Sequence, residues 1–185
     1  MVFQLLSSLL ASHSPGRCKT SQEVLRVSDI NPPVSRHCSF CGVSVEKGFD
    51  VVWEDRDYIV FRDYRPSAAH HLQVIPKKHI DSVRSLRKEH IALVRSMGEI
   101  GHRVLDALNV PAISRRLGFH IPPFNSVDHL HLHVQALPYK PQARRLKYPV
   151  MEGGRDDIKG FTWFVTLEQT VKILEKGSKV GVFPC

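Results

Sequence analysis

At 185 residues and 21.0 kDa the chain has room for one well-cored domain and too little for two. A hydrophobic share of 42% with 24% charged residues is ordinary for a soluble globular protein, and no apolar run reaches the roughly 20 residues that span a bilayer, so a membrane-spanning helix is excluded. The formal charge of +8 and pI near 9.5 favour anionic partners such as nucleotides, nucleic acid or acidic surfaces, without naming one.

Residues 1–36 differ in composition from the rest. Met1 to Ala11 is apolar but lacks the positive n-region of a secretory signal, while Arg17, Lys19 and Arg26 follow it and the first acidic residue is Glu23. The segment reads as a disordered leader ending at Asn31-Pro32-Pro33, with a mitochondrial transit peptide as the alternative. A domain over 37–177 and a C-terminal tail over 178–185 follow. Cys18, Cys38, Cys41 and Cys185 do not form the framework of a secreted disulfide scaffold, which points to the reducing cytoplasm or nucleus. Cys38-Ser39-Phe40-Cys41 has the spacing of a metal-ligand pair or a redox pair.

Residues 38–48 read as a short turn or helix that opens the domain. Val51–Glu54 and Tyr58 to Phe61 are β-rich runs around a polar Asp55-Arg56-Asp57, the pattern of a hairpin. Residues 63–69 form a loop, and a strand over 71–75 stops at Pro76. Ile91, Val94, Met97, Gly101, Val104 and Leu108 recur at spacings of three and four and predict a helix over 86–108, capped by Ser85 and ended by Asn109 and Pro111. Residues 117–121 predict a strand, and Asn125-Ser126 leads into a second one that ends near Ala136. The segment 138–160 is basic and rich in Gly and Pro, hence a loop. A last strand over 161–165 precedes Thr166-x-x-Gln169, a capping-box match that opens a helix to about Lys176 with Gly177 as its stop. This order predicts an α+β domain, an antiparallel sheet with one long helix and a short C-terminal helix.

The stretch His129-Leu130-His131-Leu132-His133-Val134 carries the chemistry. A period of two is that of a β-strand, so three imidazoles share one face and three aliphatic side chains the other. The aliphatic face packs on a core. Three adjacent imidazoles cannot be buried cheaply without partners, which leaves a metal site or a phosphate-handling site, since neutral imidazole is a ligand, a base and a nucleophile near pH 7.

That stretch resembles the HφHφHφφ signature of the histidine triad superfamily, with Gln135 departing from the hydrophobic last position. Phe61-Arg62-Asp63 with His71 to Ile80, and Arg116 to His120 with Pro123 and Ser126, resemble two further blocks, most like the third branch of histidine triad nucleotide-binding proteins. The similarity covers about Cys38 to Lys176. It implies the histidine-triad-like fold and an adenosine 5′-monophosphoramidase, a hydrolase that cleaves the P–N bond of purine 5′-monophosphoramidates and related acyl or aminoacyl adenylates through a covalent nucleotidyl-histidine.

On that resemblance His131 is the nucleophile, His133 and His71 stabilise the phosphate charge, and Ser126 bonds the leaving group. Asp63 accepts from the ribose hydroxyls, and Phe61, Arg62, Tyr64, Asn125 and His129 belong to the nucleotide pocket. Gly118 and Asn125 stand where the founding branch commonly carries Asn and Gln, so hydrogen bonds made there do not transfer. No cofactor is implied for catalysis. Cys38, Cys41, His79 and His129 match the set with which several relatives hold a structural zinc. The alternative is that both cysteines are small buried apolar residues and His129 is hydrogen-bonded in the core. The family also implies a homodimer or larger homo-oligomer, joined through the long helix and an edge strand, and no membrane partner.

Three competing functions follow from the same residues. The basic Lys140, Arg144, Arg145 and Lys147 suit a phosphate backbone, as in aprataxin-like removal of AMP from DNA 5′ ends, although charge alone does not specify nucleic acid. A non-catalytic nucleotide-binding module would ordinarily lack the middle histidine, which is present. Redox chemistry at Cys38 and Cys41 would need a βαβ pattern that the sequence does not show.

Overall fold

The computed structural model describes residues 38–185. The leader expectation for 1–36 lies outside the described residues. The elements are β1 (Val51–Glu54), β2 (Tyr58–Arg62), β3 (His71–Pro76), α1 (Ile91–Ala107), β4 (Arg115–His120), β5 (Leu132–Ala136), β6 (Phe164–Thr166) and α2 (Leu167–Glu175). The strands form one antiparallel six-stranded sheet in the order β1-β2-β3-β5-β4-β6, with both helices of the expected α+β layout.

Register explains why the sheet has two unlike faces. His133 of β5 lies opposite Gln73 of β3 and Gly118 of β4, and His71 lies opposite Gln135. Opposed residues share a face and alternate residues return to it, so His71, Gln73, His133, Gln135 and His120 line one side of the sheet. Leu72, Val74, Leu117, Phe119, Leu132 and Val134 line the other, all buried in one apolar core with Val94, Met97 and Leu105 of α1. Helix α1 comes close to this face because Gly101 carries no side chain: a Cβ there would press into Val134 and Leu117. Ile59, Phe61 and Ile75 make a smaller cluster with Phe40, Val43, Phe49 and Val51.

The long helix starts at Ile91, the first residue of its apolar stripe, rather than at 86. Two 3-10 turns, Val83–Ser85 and Lys88–His90, precede it, and Ser82 rather than Ser85 accepts an N–H, that of Arg84 at 3.3 Å. Leu86 is the cause: it is wholly buried and its backbone is extended, so the chain leaves helical geometry to drop that side chain into the core. The second helix follows its local signals. Thr166 Oγ1 accepts from the Gln169 N–H at 3.1 Å, Gln169 Oε1 accepts from the Thr166 N–H at 3.2 Å, and Gly177 adopts a left-handed φ of 75°.

Strand β6 runs 164–166 rather than 161–165, and the basic segment before it is not a free loop, since Tyr148 and Lys159 are buried. The Lys159 ammonium lies 2.8–3.2 Å from the carbonyl oxygens of Gly160, Thr162, Gly181 and Val182, which share its three N–H groups. Residues 178–185, read as a tail, are thereby tied to the domain, with Val180 and Val182 in the core. The departure at Gly118 also has a structural reason. Gly118 pairs with Thr166, and a Cβ there would collide with the Val165 carbonyl and the Phe164 ring. Among the described residues no helix is long and apolar enough to cross a membrane.

Candidate active site

His131 stands immediately before β5 and is held in one tautomer. Its Nδ1–H donates to the His129 carbonyl oxygen at 2.6 Å, which leaves a lone pair on Nε2. Burial depresses its pKa, opposed in part by that same hydrogen bond, so the ring is neutral at pH 7. A neutral imidazole with one nitrogen occupied and the other unprotonated is a nucleophile already in its reactive form.

The remaining imidazoles form a chain whose direction is fixed at both ends. The Ser67 N–H donates to His71 Nδ1 at 3.2 Å, and His120 Nε2 lies 2.8 Å from the Lys147 carbonyl, which can only accept. His120 Nδ1 is therefore an acceptor, met by His133 Nε2–H at 2.9 Å. His133 Nδ1 is then an acceptor too, met by His71 Nε2–H at 2.9 Å. Three neutral rings satisfy all six nitrogens with three protons, and a further proton on any of them would break a link.

The electrostatics agree with that assignment. Burial pushes His71 down to about 4, against the opposing pull of Asp63. Burial holds His133 well below its ordinary value, with His131 and His120 adding to the effect. His120 is lowered by burial as well, opposed by its bond to the Lys147 carbonyl.

A cavity of about 1030 Å³ opens over this face. His133, Ser126, Asp63, Tyr64, Phe61 and Arg62 line it, together with His120, Gln73, Tyr148 and Lys147. Asp63 is fixed at both oxygens, accepting from the Arg65 N–H at 2.7 Å and from Gln73 Nε2 at 2.6 Å, and it stands 3.5 Å from His71 Nε2. His131 and His71 lie one ring behind the lining; His131 keeps 7% exposure, and its ring centroid is 5.0 Å from that of His133. Tyr64 is 92% exposed at the rim. Asn125 bonds the Val127 carbonyl and Asp128 in its own turn, outside the cavity's described lining.

His129 faces away from the cavity, toward the cysteines. Its Nδ1 is 3.4 Å from Cys38 Sγ and 3.6 Å from Cys41 Sγ, and His79 Nδ1 is 3.2 Å from Cys41 Sγ. Zinc–sulfur bonds of about 2.3 Å and zinc–nitrogen bonds of about 2.0–2.1 Å give a tetrahedron whose S–N edges are roughly 3.5 Å. The outer nitrogens are engaged as a metal site requires: His129 Nε2 lies 2.8 Å from the Pro76 carbonyl and His79 Nε2 lies 3.0 Å from Asp81 Oδ1, which turns both Nδ1 lone pairs inward. The donor set and its outer bonds fit a tetrahedral metal.

The family model described as scavenger mRNA decapping enzyme C-term binding matches residues 37–148, more than half of the chain. The adenosine 5′-monophosphoramidase HINT3 of Danio rerio is 39% identical over 165 residues, covering 86% of this chain and 92% of that protein. The chain belongs to the histidine triad superfamily. A HIT family hydrolase from Legionella pneumophila is 30% identical, covers 55% of this chain and 93% of that one, and superposes with a TM-score of 0.51. Aprataxin of Danio rerio is more distant, 29% identical over 132 residues that make up 71% of this chain and 38% of that protein.

Beside the triad signature, His120, Tyr148, Phe124 and Trp163 are site residues to which sequence reasoning gave no role, and Lys147 was singled out only as part of a basic segment. His120 ends a strand 13 positions from its partner His133, and only strand register brings the two together. Its one legible sign was a place in the third matching block of this histidine triad chain.

The buried imidazoles make stability depend on pH with a definite sign. Unfolded histidine protonates near 6.5, whereas His71 stays neutral down to about 4 in the fold, so between those values the unfolded state binds more protons. Stability falls as pH falls through that window, and this contribution to the loss levels off below it. Urea unfolding at pH 7 and pH 5 is expected to show His71→Gln losing less stability on acidification than wild type, by roughly 1–2 kcal/mol. Equal losses in the two proteins would show that His71 is not held neutral.

Proposed function

We propose that this chain hydrolyses adenosine 5′-monophosphoramidates, and related acyl or aminoacyl adenylates, through a nucleotidyl intermediate on His131. The observation that carries the reading is the 2.6 Å bond from His131 Nδ1–H to the His129 carbonyl, which readies Nε2 to attack phosphorus. The relative named adenosine 5′-monophosphoramidase, matched over nearly its whole length, supports the same chemistry.

In the first step His131 Nε2 forms a bond to phosphorus and the P–N bond breaks, the amine leaving with a proton taken from solvent. Water then attacks phosphorus, the N–P bond to His131 breaks, AMP is released, and the proton lost by that water returns to solvent. A phosphate oxygen accepting from His133 Nε2–H takes the place of His120 Nδ1 in the resting chain, so the donor is already oriented when charge develops. Asp63, fixed through Arg65 and Gln73, presents carboxylate oxygen to ribose hydroxyls, and Ser126 supplies a hydroxyl near the leaving nitrogen.

A second reading, removal of AMP from nucleic acid ends, draws on Lys47, Arg62, Arg65 and Lys147 around the cavity. AMP conjugated to lysine and adenylated nicked DNA separate the two. The phosphoramidate reading expects the higher kcat/KM on the lysine conjugate. His131→Asn is expected to lower that kcat/KM at least about a thousandfold while AMP still binds. Near wild-type turnover by the variant would sink the mechanism, and a preference for DNA would sink the substrate assignment.

Cys38, Cys41, His79 and His129 would hold a structural zinc that contributes to folding and keeps His129 turned away from the nucleotide. Protein purified without chelators is expected to contain about one zinc per chain, and chelation to lower its Tm. Zinc well below one per chain, with no response to chelator, rules the site out. Self-association is the remaining part of the reading. Strand β4 is covered by β6, and the outer strands β1 and β6 are short, β1 with irregular register, so two copies would meet through the helical layer rather than a strand edge.

A further inference from the structure

The cavity holds more than a nucleotide requires. Its volume of about 1030 Å³ is at the upper end for small-molecule sites, and its aromatic lining includes, besides Tyr64 at the rim and Tyr148 packed on the imidazoles, two clusters of rings. Phe40, Phe49 and Phe61 stand at one end, with ring centroids 5.2–6.2 Å apart. From there the ring contacts run in order: Phe40 to His131 at 5.5 Å, His131 to His133 at 5.0 Å, and His133 to His120 at 4.7 Å.

The second group is Phe124 and Trp163, with centroids 5.5 Å apart and planes inclined by 32°, Phe124 lying in the chain between His120 and Ser126. Both hang from one residue. The Ile121 N–H donates to the Trp163 carbonyl at 2.9 Å, and the Phe124 N–H donates to the Ile121 carbonyl at 3.0 Å. Ile121 directly follows His120 and is wholly buried, so the pair is anchored to the core. The Phe124 side chain is nevertheless 51% exposed. A ring on an anchored backbone, packed against one neighbour at a cavity wall and with half its surface in water, is placed to be covered by a flat ligand.

We propose that Phe124 and Trp163 form the leaving-group subsite, and that the amine it accepts carries a flat aromatic ring. The proposal rests on the phosphoramidate reading and names its substrate class. The nucleoside takes the opposite end, where Phe61 adjoins the Asp63 carboxylate that suits ribose hydroxyls. A ring joined by a short chain to the nitrogen on phosphorus, beside His131, then reaches the pair across His120 and Ser126. The two rings would also attract a cation, but Lys147 on the same wall places a like charge there, which favours an uncharged ring.

The test compares AMP conjugates of indolylethylamine and of hexylamine. Wild type is expected to hydrolyse the indolyl conjugate with kcat/KM at least tenfold above that of the hexyl conjugate. Trp163→Ala and Phe124→Ala, each shown folded by its Tm, bring that ratio toward one, and Trp163→Phe keeps most of it. A wild-type ratio near one, or a ratio unmoved in both folded alanine variants, overturns the subsite. A second arm reads binding without turnover: in His131→Asn the indolyl conjugate displaces bound AMP at a tenfold or more lower concentration than the hexyl conjugate. That arm decides the subsite if the alanine variants do not fold. It also separates the two claims, because a wild type that hydrolyses neither conjugate sinks the phosphoramidase reading, while equal displacement sinks the subsite.

Discussion

The site depends on one constraint: buried imidazole nitrogens have to be paired. A polar group shut away from water without a partner costs on the order of 1–3 kcal/mol, and four neutral histidine rings sit on or beside the central strand β5. The solution is directional. A main-chain N–H at Ser67 starts the chain of rings and a main-chain carbonyl at Lys147 ends it, so one arrangement of protons satisfies His71, His133 and His120 together. His131 stays outside that chain, satisfied at Nδ1 by its own local carbonyl and left with a free lone pair. The ring the chemistry needs is the one whose second nitrogen the fold does not use.

The same strand divides stability from chemistry. Leu132 and Val134 are sealed against α1, while His133 and Gln135, one residue out of phase, meet β3 and β4 on the site face. Because the side-chain period is two, a slip of one residue in β5 would exchange the faces and destroy both at once. The terminal bonds join the chain of rings to two loop segments that also meet each other, through Ser67 Oγ and the Tyr148 hydroxyl at 3.2 Å. His129 marks the far limit of the site: its Nδ1 faces the cysteines and its Nε2 the Pro76 carbonyl, so it does not compete with His131 for phosphate.

What could be read from the sequence was local. The hairpin and the Thr166–Gln169 capping box are written within a few residues, and the fold realises both; the alternating histidines are realised only in part, since β5 begins at Leu132 and His129 turns toward the cysteines instead of sharing the face of His133. The start of α1 was set too early, at Leu86, although the apolar stripe itself begins at Ile91; Leu86 is buried from an extended turn that precedes the helix. Gly118 could be seen as a departure but not explained, since the collision it avoids is with β6, some 47 positions away in the sequence. His120, Phe124 and Trp163 escaped notice because their roles arise from strand register and from Ile121, which no sequence period encodes.

The central claim is that phosphorus becomes bonded to His131. Mixing the protein with an AMP phosphoramidate, quenching within one turnover and mapping peptides by mass spectrometry tests it directly. The account predicts an adenylyl group on the peptide containing His131, assigned to that ring by fragmentation and absent once substrate is exhausted. AMP carried on His71, His120 or His133, or turnover through many cycles with no adduct trapped at any quench time, would contradict it.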